Sequence, residues 1–356
     1  MMIGQRLYRA RKAAGLSLRE LGLQVGLTHA AIKKYEDGKA TPTSTTLLKL
    51  SRALNVRTEY FFRPETLVLD RIEYRKHSTL SRKRLEAIEH EVIDQIERRI
   101  ELENLFPSPP VAPFASMLDF PASVTDYGQI EDIAEAVRKA WDLGYEPISD
   151  LVDLLETHGI RVFMVDADED PRFDGLAAFV NRMPIIVVGS HWPGDRQRFT
   201  LGHELGHMIL ASRLASGLDE ETACNRFAGA FLFPRQSVRK ELGDHRRTIE
   251  PKELALLKET FGISMLAILL RAHDLGIVTP ACKSCQVKLF RMKGWLITEP
   301  GKPVPAEKAH IFEQRIFHAL AENYIGESKA AELMKMSLAD FQSVRTLKDP
   351  DIAACQ

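Results

Sequence analysis

The sequence has few cysteines and no long apolar run, and each of these features excludes a class of protein. Four cysteines among 356 residues are too few and too unevenly spaced for the disulfide framework of a secreted scaffold, so we expect reduced thiols. No apolar run approaches the ~18 residues of a membrane span, and the first residues lack the hydrophobic core of a signal peptide. We therefore expect a protein of the cytoplasm that makes no membrane contact. Its 45% hydrophobic residues can still build packed cores, and its length allows two or three domains.

A net charge of only −1 conceals an uneven distribution along the chain. Residues 1–66 hold 12 Lys and Arg against 5 Asp and Glu, a net charge of +7, so the remaining residues carry −8. The positive end is where a polyanion such as nucleic acid would bind.

Local signals in this basic segment predict two short helices joined by a glycine turn. Ser17 and Glu20 have the spacing of a capping box, which starts a helix at Ser17. Gly26 can take the positive φ that ends it, and Thr28 is a good N-cap for a second helix that runs to about Glu36. Two such helices form a helix-turn-helix, and apolar residues on both sides predict a unit of about five short helices.

Over residues 3–62 the sequence resembles the lambda-repressor-like, Xre-type DNA-binding domain. The similarity rests on Arg6-Leu7-x-x-Ala10-Arg11, on the Ser17–Val25 helix, on Ile32 to Lys39 and on the Leu47–Val56 helix. In such domains the second helix of the motif enters the major groove. The family often has Gln where this chain has Leu18. The resemblance implies an all-α domain over 1–66, a double-stranded DNA operator as partner, and a homodimer, because one module covers only a half-site. It further implies base contacts from His29, Ala30 and Lys33 and phosphate contacts from Thr28, Lys34 and Lys39.

Residues 67–128 are interpreted as a helical and proline-rich connector. Apolar residues recur every three or four positions from Leu85 to Ile100, which predicts one helix over about 81–105. Such a helix would be about 37 Å long, enough to separate two domains. The pattern leaves open whether it packs on the domain that follows or forms a dimerising coiled coil. Four prolines between Phe106 and Pro113 predict a stiff connector after it.

Residues 129–280 show a mixed pattern of helices and strands. An apolar face from Ile130 to Trp141 and the segment Ile148–Glu156 predict two helices. Three short β-rich runs then predict strands at Ile160–Val165, Gly175–Val180 and Pro184–Val188. This layout is typical of an α+β domain.

A metal-binding pattern follows the predicted strands. His203, Glu204 and His207 form HExxH in an apolar helical run, and histidines four residues apart on a helix can hold one Zn²⁺. Glu204 lies one step round the helix and could act as general base towards a water that the metal activates. On the next predicted helix Glu221 is a candidate third ligand, and Asn225, four residues later, could orient a histidine ligand.

This combination resembles the ImmA/IrrE family of zinc metallopeptidases, which pairs a HELGH helix with a later Glu-x-x-Ala-Asn-x-Phe-Ala helix ending in Pro. Cys224 replaces the usual Ala. The resemblance implies a zincin-like α+β domain, Zn²⁺ bound by His203, His207 and Glu221, and Glu204 as the catalytic base. The pattern alone leaves two alternatives open: ordinary core histidines, or a bound metal without catalytic activity.

For residues 281–356 the pattern predicts a small β/α extension. Val287–Phe290 and Trp295–Ile297 are interpreted as a strand pair, and two short amphipathic helices follow at 310–323 and 328–334. Cys282 and Cys285 form a single CxxC without two further ligands nearby, which favours free thiols over a zinc site. The fold class is therefore multidomain, with an all-α domain, an α+β domain and this extension.

Two functions are compatible with these domains. The first is a transcriptional regulator that binds DNA and carries a zinc peptidase acting on a specific protein partner such as a repressor. The second is a non-catalytic repressor, or the antitoxin of a toxin–antitoxin pair, that uses the peptidase fold to sense a signal or bind a partner. The sequence identifies neither the operator nor the protein substrate.

Overall fold

The computed structural model describes residues 2–63, 82–107, 114, 123–166, 173–180, 183–210 and 212–347. These residues belong to two compact units. The first contains 2–63, 82–107 and 310–347, and the second contains the described residues between 114 and 309. Among the described helices none combines the length and the apolar character that crossing a bilayer requires.

The first unit begins with the predicted helix-turn-helix domain. Its helices are α1 (Met2–Ala13), α2 (Leu18–Val25), α3 (His29–Glu36) and α4 (Ser44–Ala53), followed by a 3₁₀ helix at Thr58–Phe62. The apolar faces of these helices meet in one core that includes Leu7, Leu21, Ile32, Leu50 and Phe61. Burial of these aliphatic and aromatic side chains is the main term that stabilises so small a unit.

The ends of α2 and α3 lie where their capping residues predict. Ser17 and Glu20 form a complete capping box, in which the Ser17 amide donates to Glu20 Oε2 at 2.6 Å. Gly26 ends α2 with a φ of 73°, and the Thr28 hydroxyl accepts from the Ala31 amide at 3.2 Å to start α3. The turn between the two helices is therefore specified within the motif itself.

Helix α5 (Arg82–Glu103) packs on α1 within the first unit. Glu97 is buried and accepts hydrogen bonds from Arg6 and from Arg9, the latter at 2.9 Å. Lys12 pairs with Glu86 at 2.6 Å. The apolar stripe that suggested a coiled coil is thus covered inside the chain. Residues 64–81 and 108–113, which include most of the predicted proline connector, lie outside the described residues.

The first unit is completed by α14 (His310–Ala321), α15 (Glu327–Leu333) and α16 (Leu338–Arg345). Their apolar faces form a second core together with Leu102 of α5, with Ile316, Ala331 and Phe341 fully buried. The predicted extension is therefore split, since its last helices pack with α5 in the first unit.

The second unit surrounds a three-stranded sheet. Its strands are β1 (Arg161–Val165), β2 (Gly175–Val180) and β3 (Met183–Gly189). Its helices are α6 (Gly128–Ala140), α7 (Leu151–Thr157), α8 (Gly194–Leu210), α9 (Glu220–Leu232), α10 (Arg235–Leu242), α11 (Pro251–Phe261), α12 (Met265–Asp274) and α13 (Pro280–Met292). The prediction of an α-helical domain followed by an α+β domain is confirmed.

The sheet has the order β1-β3-β2, in which β1 runs parallel and β2 antiparallel to β3. Ile186 lies opposite Val162 on one side and Ala177 on the other, so β3 is the central strand and is buried along almost its whole length. Within the described part of the chain, β2 pairs with β3 alone and its other edge is unpaired.

The predicted strand pair at Val287–Phe290 and Trp295–Ile297 is wrong, because this region forms α13 and the turns after it. Thr279 caps the Cys282 amide and Pro280 occupies the first helical turn, a combination that starts a helix. Gln286 and Phe290, four residues apart, are buried on one helix face. Trp295 packs edge-on against Phe290, with 5.5 Å between the centres of the two rings. The apolar run at 287–290 is therefore one turn of a helix.

Candidate metal centre and nucleic-acid interface

The site in the second unit depends on a close approach of α8 and α9. A Cβ at Gly202 would lie 3.3 Å from the Ala228 Cα, and one at Gly206 would lie 3.2 Å from the Cys224 Cα. A side chain at either glycine would push the two helices apart. The glycines flanking the histidines therefore bring α9 close enough for its carboxylates to reach them.

Three side chains from the two helices converge. His203 Nε2 lies 3.0 Å from His207 Nε2, and the Glu221 carboxylate lies 3.3 Å from the first and 3.5 Å from the second. Two ligands held at ~2.05 Å by a tetrahedral Zn²⁺ would lie ~3.3 Å apart. The three donors therefore have the spacing that one such ion requires.

The other ring nitrogen of each histidine is hydrogen bonded to α9. The Asn225 amide oxygen lies 3.0 Å from His203 Nδ1, and a Glu220 carboxylate oxygen lies 2.8 Å from His207 Nδ1. An ionised carboxylate can only accept, so His207 Nδ1 carries the proton and its Nε2 presents a lone pair. The Asn225 amide oxygen is also an acceptor, so His203 Nδ1 carries the proton of that ring. Both imidazoles thus point a free electron pair at the same place as Glu221, which is the arrangement of a metal site.

Electrostatics favour the neutral form of the first histidine. Burial and the nearby His207 lower the pKa of His203, although Glu221 and Asn225 oppose the shift. A neutral imidazole is the form that binds a cation.

Glu204, the residue predicted to be the general base, lies on α8 beside strand β2. Its side chain is 9% exposed, and a Cβ at Gly175 of β2 would lie 3.7 Å from its Cγ. The same Cβ would lie 2.6 Å from Thr200 Cγ2, too close for a side chain to fit without a shift. The edge strand therefore passes directly beside the helix that carries Glu204, with glycine at the point of contact.

The sequence reasoning missed two features of this site. Glu220 was not singled out, yet antiparallel packing of α8 and α9 puts the partner of His207 one turn before Asn225. Cys224 was treated as a small apolar replacement, and its buried thiol lies within 4.8 Å of donor atoms of His207 and Glu220. The order of His203 and His207 along α8 could have indicated Glu220, because in an antiparallel pair the later histidine lies beside the earlier residue of α9.

A small cluster of side chains lies near the start of α8. Arg196 pairs with Asp174 at 2.7 Å, and its guanidinium lies 3.4 Å from the centre of the Trp192 ring. The Trp192 indole donates to the Phe173 carbonyl at 2.7 Å. Asp174 directly precedes Gly175, the residue of β2 that approaches Glu204, so this cluster lies at the rim of the site.

In the first unit, the six residues predicted to contact DNA are all exposed on or beside α3. They are Thr28, His29, Ala30, Lys33, Lys34 and Lys39. Asp37 pairs with two of the lysines, with Lys33 Nζ at 2.8 Å and with Lys39 Nζ at 3.2 Å. Leu18, where the family often has Gln, packs partly buried on the core and offers no polar group.

Buried contacts hold α3 in place behind this exposed face. Arg11 of α1 donates to both carboxylate oxygens of Glu36, at 2.6 and 3.0 Å. A Cβ at Gly4 would lie 2.5 Å from the carbonyl oxygens of Tyr35 and Glu36, so α1 meets the end of α3 backbone to backbone. These contacts hold α3 from behind, while its exposed face carries a net positive charge from the three lysines named above.

Comparison with known proteins assigns each region to a family. A family model described as Peptidase_M78, the IrrE N-terminal-like domain, matches residues 155–273, and a helix-turn-helix model, HTH_3, matches residues 7–61. The helix-turn-helix regulator YonR from the SPbeta prophage of Bacillus subtilis (strain 168) is 39% identical over 62 residues, 17% of this chain and 57% of that protein. The vegetative-specific protein H7 of Dictyostelium discoideum is 36% identical over 55 residues, 15% of this chain and 53% of that protein.

The chain spans about half the length of the curated relatives it matches. A structure of Bacillus thuringiensis PlcR in complex with the peptide PapR7 and DNA aligns over 100% of this chain and 99% of that chain, at 10% identity and a TM-score of 0.17. A score this low does not indicate a shared overall fold. The two family matches coincide with the two sites described above, and the chain therefore joins an Xre-type helix-turn-helix domain to a peptidase domain of the ImmA/IrrE family.

Proposed function

We propose that this protein is a DNA-binding transcriptional regulator that carries a zinc-dependent endopeptidase and cuts a specific protein partner such as a repressor. The main support for peptidase activity is the convergence of His203, His207 and Glu221, with both imidazoles oriented by α9. The main support for DNA-binding regulation is the exposed basic face of α3 in a helix-turn-helix domain.

In the peptidase, His203, His207 and Glu221 would hold the zinc ion. When bound, zinc supplies Lewis-acid activation of a water molecule and of the scissile carbonyl. Glu204 accepts the proton of the attacking water and returns it to the leaving amine, a role that suits a mostly buried carboxylate on the same helix. Glu220 and Asn225 keep the two imidazoles in the tautomer that binds metal.

The edge of β2 is suited to hold the substrate in extended form. An unpaired strand edge can accept main-chain hydrogen bonds from an added peptide strand, and β2 passes Glu204 at Gly175. The Asp174–Arg196 pair and the Trp192 ring lie at the rim, where they would contact side chains of the peptide. A narrow specificity would follow from these contacts.

The decisive experiment replaces Glu204 by Gln. This change keeps the size of the side chain and removes the proton acceptor, so zinc content should be unchanged while cleavage is lost. New protein N-termini are measured in cells that express the wild type, the Glu204→Gln variant or Glu241→Gln, whose exposed carboxylate on α10 serves as the matched control. Zinc is measured in the same preparations by mass spectrometry.

One cut site that is present with wild type and Glu241→Gln, and absent with Glu204→Gln, would support the peptidase. Identical N-terminal profiles from all three proteins would refute it. In that case the non-catalytic alternative, a repressor or antitoxin that uses the fold to sense a signal or bind a partner, would explain the data.

The DNA-binding half is tested separately with an operator selected from random sequences. If Lys33 reads a base, Lys33→Gln should weaken binding roughly 5- to 150-fold at one base-pair position, whereas a phosphate contact would be lost equally on all sequences. Lys288→Gln, an exposed lysine on α13, is the control and should bind normally. We propose that a homodimer contacts two half-sites about 34 Å apart, so inserting half a helical turn between them should abolish tight binding.

A further inference from the structure

A cavity of about 380 Å³ lies in the first unit, and none of its lining residues belongs to either of the sites described above. One wall comes from the end of α4 and the 3₁₀ helix, a second from α5, and a third from the α15–α16 turn. Its volume falls in the range of about 300–1,000 Å³ that is usual for small-molecule sites. The helix-turn-helix domain thus shares a ligand-sized cavity with the last helices of the chain.

The lining of this cavity is strongly basic. It contains five cations and two carboxylates, a net charge of +3: Arg52, Arg57, Arg63, Arg98 and Lys335 against Asp94 and Glu332. A concave surface lined by one sign of charge concentrates its potential in the opening. An anionic ligand is therefore favoured.

Both carboxylates are already neutralised by neighbouring cations. Asp94 pairs with Arg63 at 3.3 Å and with Arg98 at 3.2 Å. Glu332 accepts from Arg63 at 2.6 Å and from Lys329 at 3.1 Å. These acids therefore hold the wall together and leave the remaining cations available.

Arg52 and Lys335 stand out among those cations. Both are exposed, and within the described residues neither side chain has a hydrogen-bond or ion-pair partner. Lys335 follows α15 with a φ of 57°, a position that usually favours glycine or asparagine. A lysine there adds a cation to the lining at some conformational cost. The two side chains come from different segments of the chain, Arg52 from α4 and Lys335 from the α15–α16 turn.

We propose that this cavity binds a phosphorylated small molecule of about nucleotide size. Arg52 and Lys335 would bind the phosphate groups from two sides, while Val56, Met336 and Leu338 offer apolar contact to the organic part. Because its walls belong to different segments of the chain, the ligand would tie the DNA-binding domain to the C-terminal helices. This site is independent of the peptidase chemistry.

The test is calorimetric titration of the full-length protein with inorganic pyrophosphate and with adenosine diphosphate. The wild type should bind each with one-to-one stoichiometry, and the double variant Arg52→Gln/Lys335→Gln should bind at least about tenfold more weakly, because two charge-assisted contacts are lost. Lys49→Gln, an exposed lysine on the same helix α4 that does not line the cavity, is the control and should bind like the wild type. The double variant keeps His203, His207 and Glu221, so any binding of phosphate at that site would contribute equally to the titrations of the wild type and the variant.

Hydrogen exchange on the wild type provides a second measurement that does not depend on the variants folding. Pyrophosphate should protect amides in residues 51–63 and 328–338 and leave those of α3 unchanged. The proposal is overturned if neither compound binds, if the double variant and Lys49→Gln bind equally, or if protection falls on α3, which would mean that the anion occupies the DNA-binding face.

Discussion

The two neighbouring acids at the end of α3 should respond in opposite ways to the same substitution. Glu36 is buried, with a side chain 3% exposed, and accepts two hydrogen bonds from Arg11, whose side chain is 7% exposed. Asp37 is exposed and pairs with Lys33 and Lys39 at the surface. Each acid is changed to alanine in the full-length protein.

Removing Glu36 leaves the Arg11 guanidinium buried without its counter-charge. Breaking a buried ion pair in this way typically costs about 3–5 kcal/mol. Arg11 keeps one hydrogen bond, to the Leu16 carbonyl at 2.8 Å, which places the expected cost near the lower end of that range. Exposed pairs contribute little to stability, so Asp37→Ala should leave stability almost unchanged.

Amide hydrogen exchange measures this difference where it occurs. A loss of about 3 kcal/mol corresponds to roughly 150-fold faster exchange of the amides of α1 and α3 through opening of the domain. Peptides from α8 and α9 serve as the internal reference in both variants. Equal exchange in Glu36→Ala and the wild type would refute the reasoning, as would an equal loss of protection in the two variants.

The same variants should differ in DNA binding. Asp37→Ala frees Lys33 and Lys39 and removes a negative charge from the face proposed to meet phosphates. Affinity should rise, and the slope of its salt dependence should steepen by about 0.9 for each additional phosphate that a lysine neutralises. Glu36→Ala should instead weaken binding because α3 is no longer held. Fluorescence anisotropy at several salt concentrations distinguishes these outcomes, and unchanged affinity of Asp37→Ala would show that neither lysine meets phosphate.

Three further predictions address the other contacts. Glu220→Gln should weaken zinc binding about 10- to 100-fold in a chelator competition, because it removes the carboxylate that orients His207; unaltered affinity would exclude that role. Burial and the nearby Arg9 and Lys12 lower the pKa of His90 to about 4, below its unfolded value, so the unfolded state takes up the proton first. The contribution of His90 to stability is thus complete above about pH 6.5 and is lost as the pH falls towards 4. Hydrogen exchange of α5 amides should show this loss of stability in the wild type and a smaller loss in His90→Gln. Equal pH profiles for the two proteins would contradict the prediction. Glu131→Gln should destabilise the second unit by about 3–5 kcal/mol, because Arg271 donates to both carboxylate oxygens in a fully buried pair. Tryptophan fluorescence during urea unfolding reports this unit specifically, since all three tryptophans belong to it, and an unchanged midpoint would contradict the prediction.

Features set by neighbouring residues could be predicted from the sequence. The start of α2 follows from Ser17 and Glu20, and the start of α3 follows from Thr28, because each cap involves atoms only three residues apart. The strands β1 to β3 were predicted within one residue at each end, since they are short apolar runs bounded by turn signals. Both family resemblances were recognised from such local motifs and are confirmed.

Prediction failed where two readings of a short apolar run were equally possible. Val287–Phe290 suits a strand as well as one turn of a helix, and only packing of Gln286 and Phe290 on one face decides for the helix. The apolar stripe of α5 was recognised, but its partner was not. That partner is α1, and the contact between Glu97 and Arg6 joins residues 91 positions apart.

The residue types of the candidate metal centre, and the helix on which each lies, can be predicted from the sequence, because ligand spacing on a helix is a local property. The close approach of α8 and α9, which lets Glu221 reach both histidines, depends instead on long-range packing. That approach depends on glycines at 202 and 206 facing residues more than fifteen positions away. Tertiary packing also places Glu220 beside His207 and brings cations from α4 and the α15–α16 turn to one cavity. Such contacts depend on how the chain packs, and packing joins residues whose separation in the sequence carries no repeating pattern.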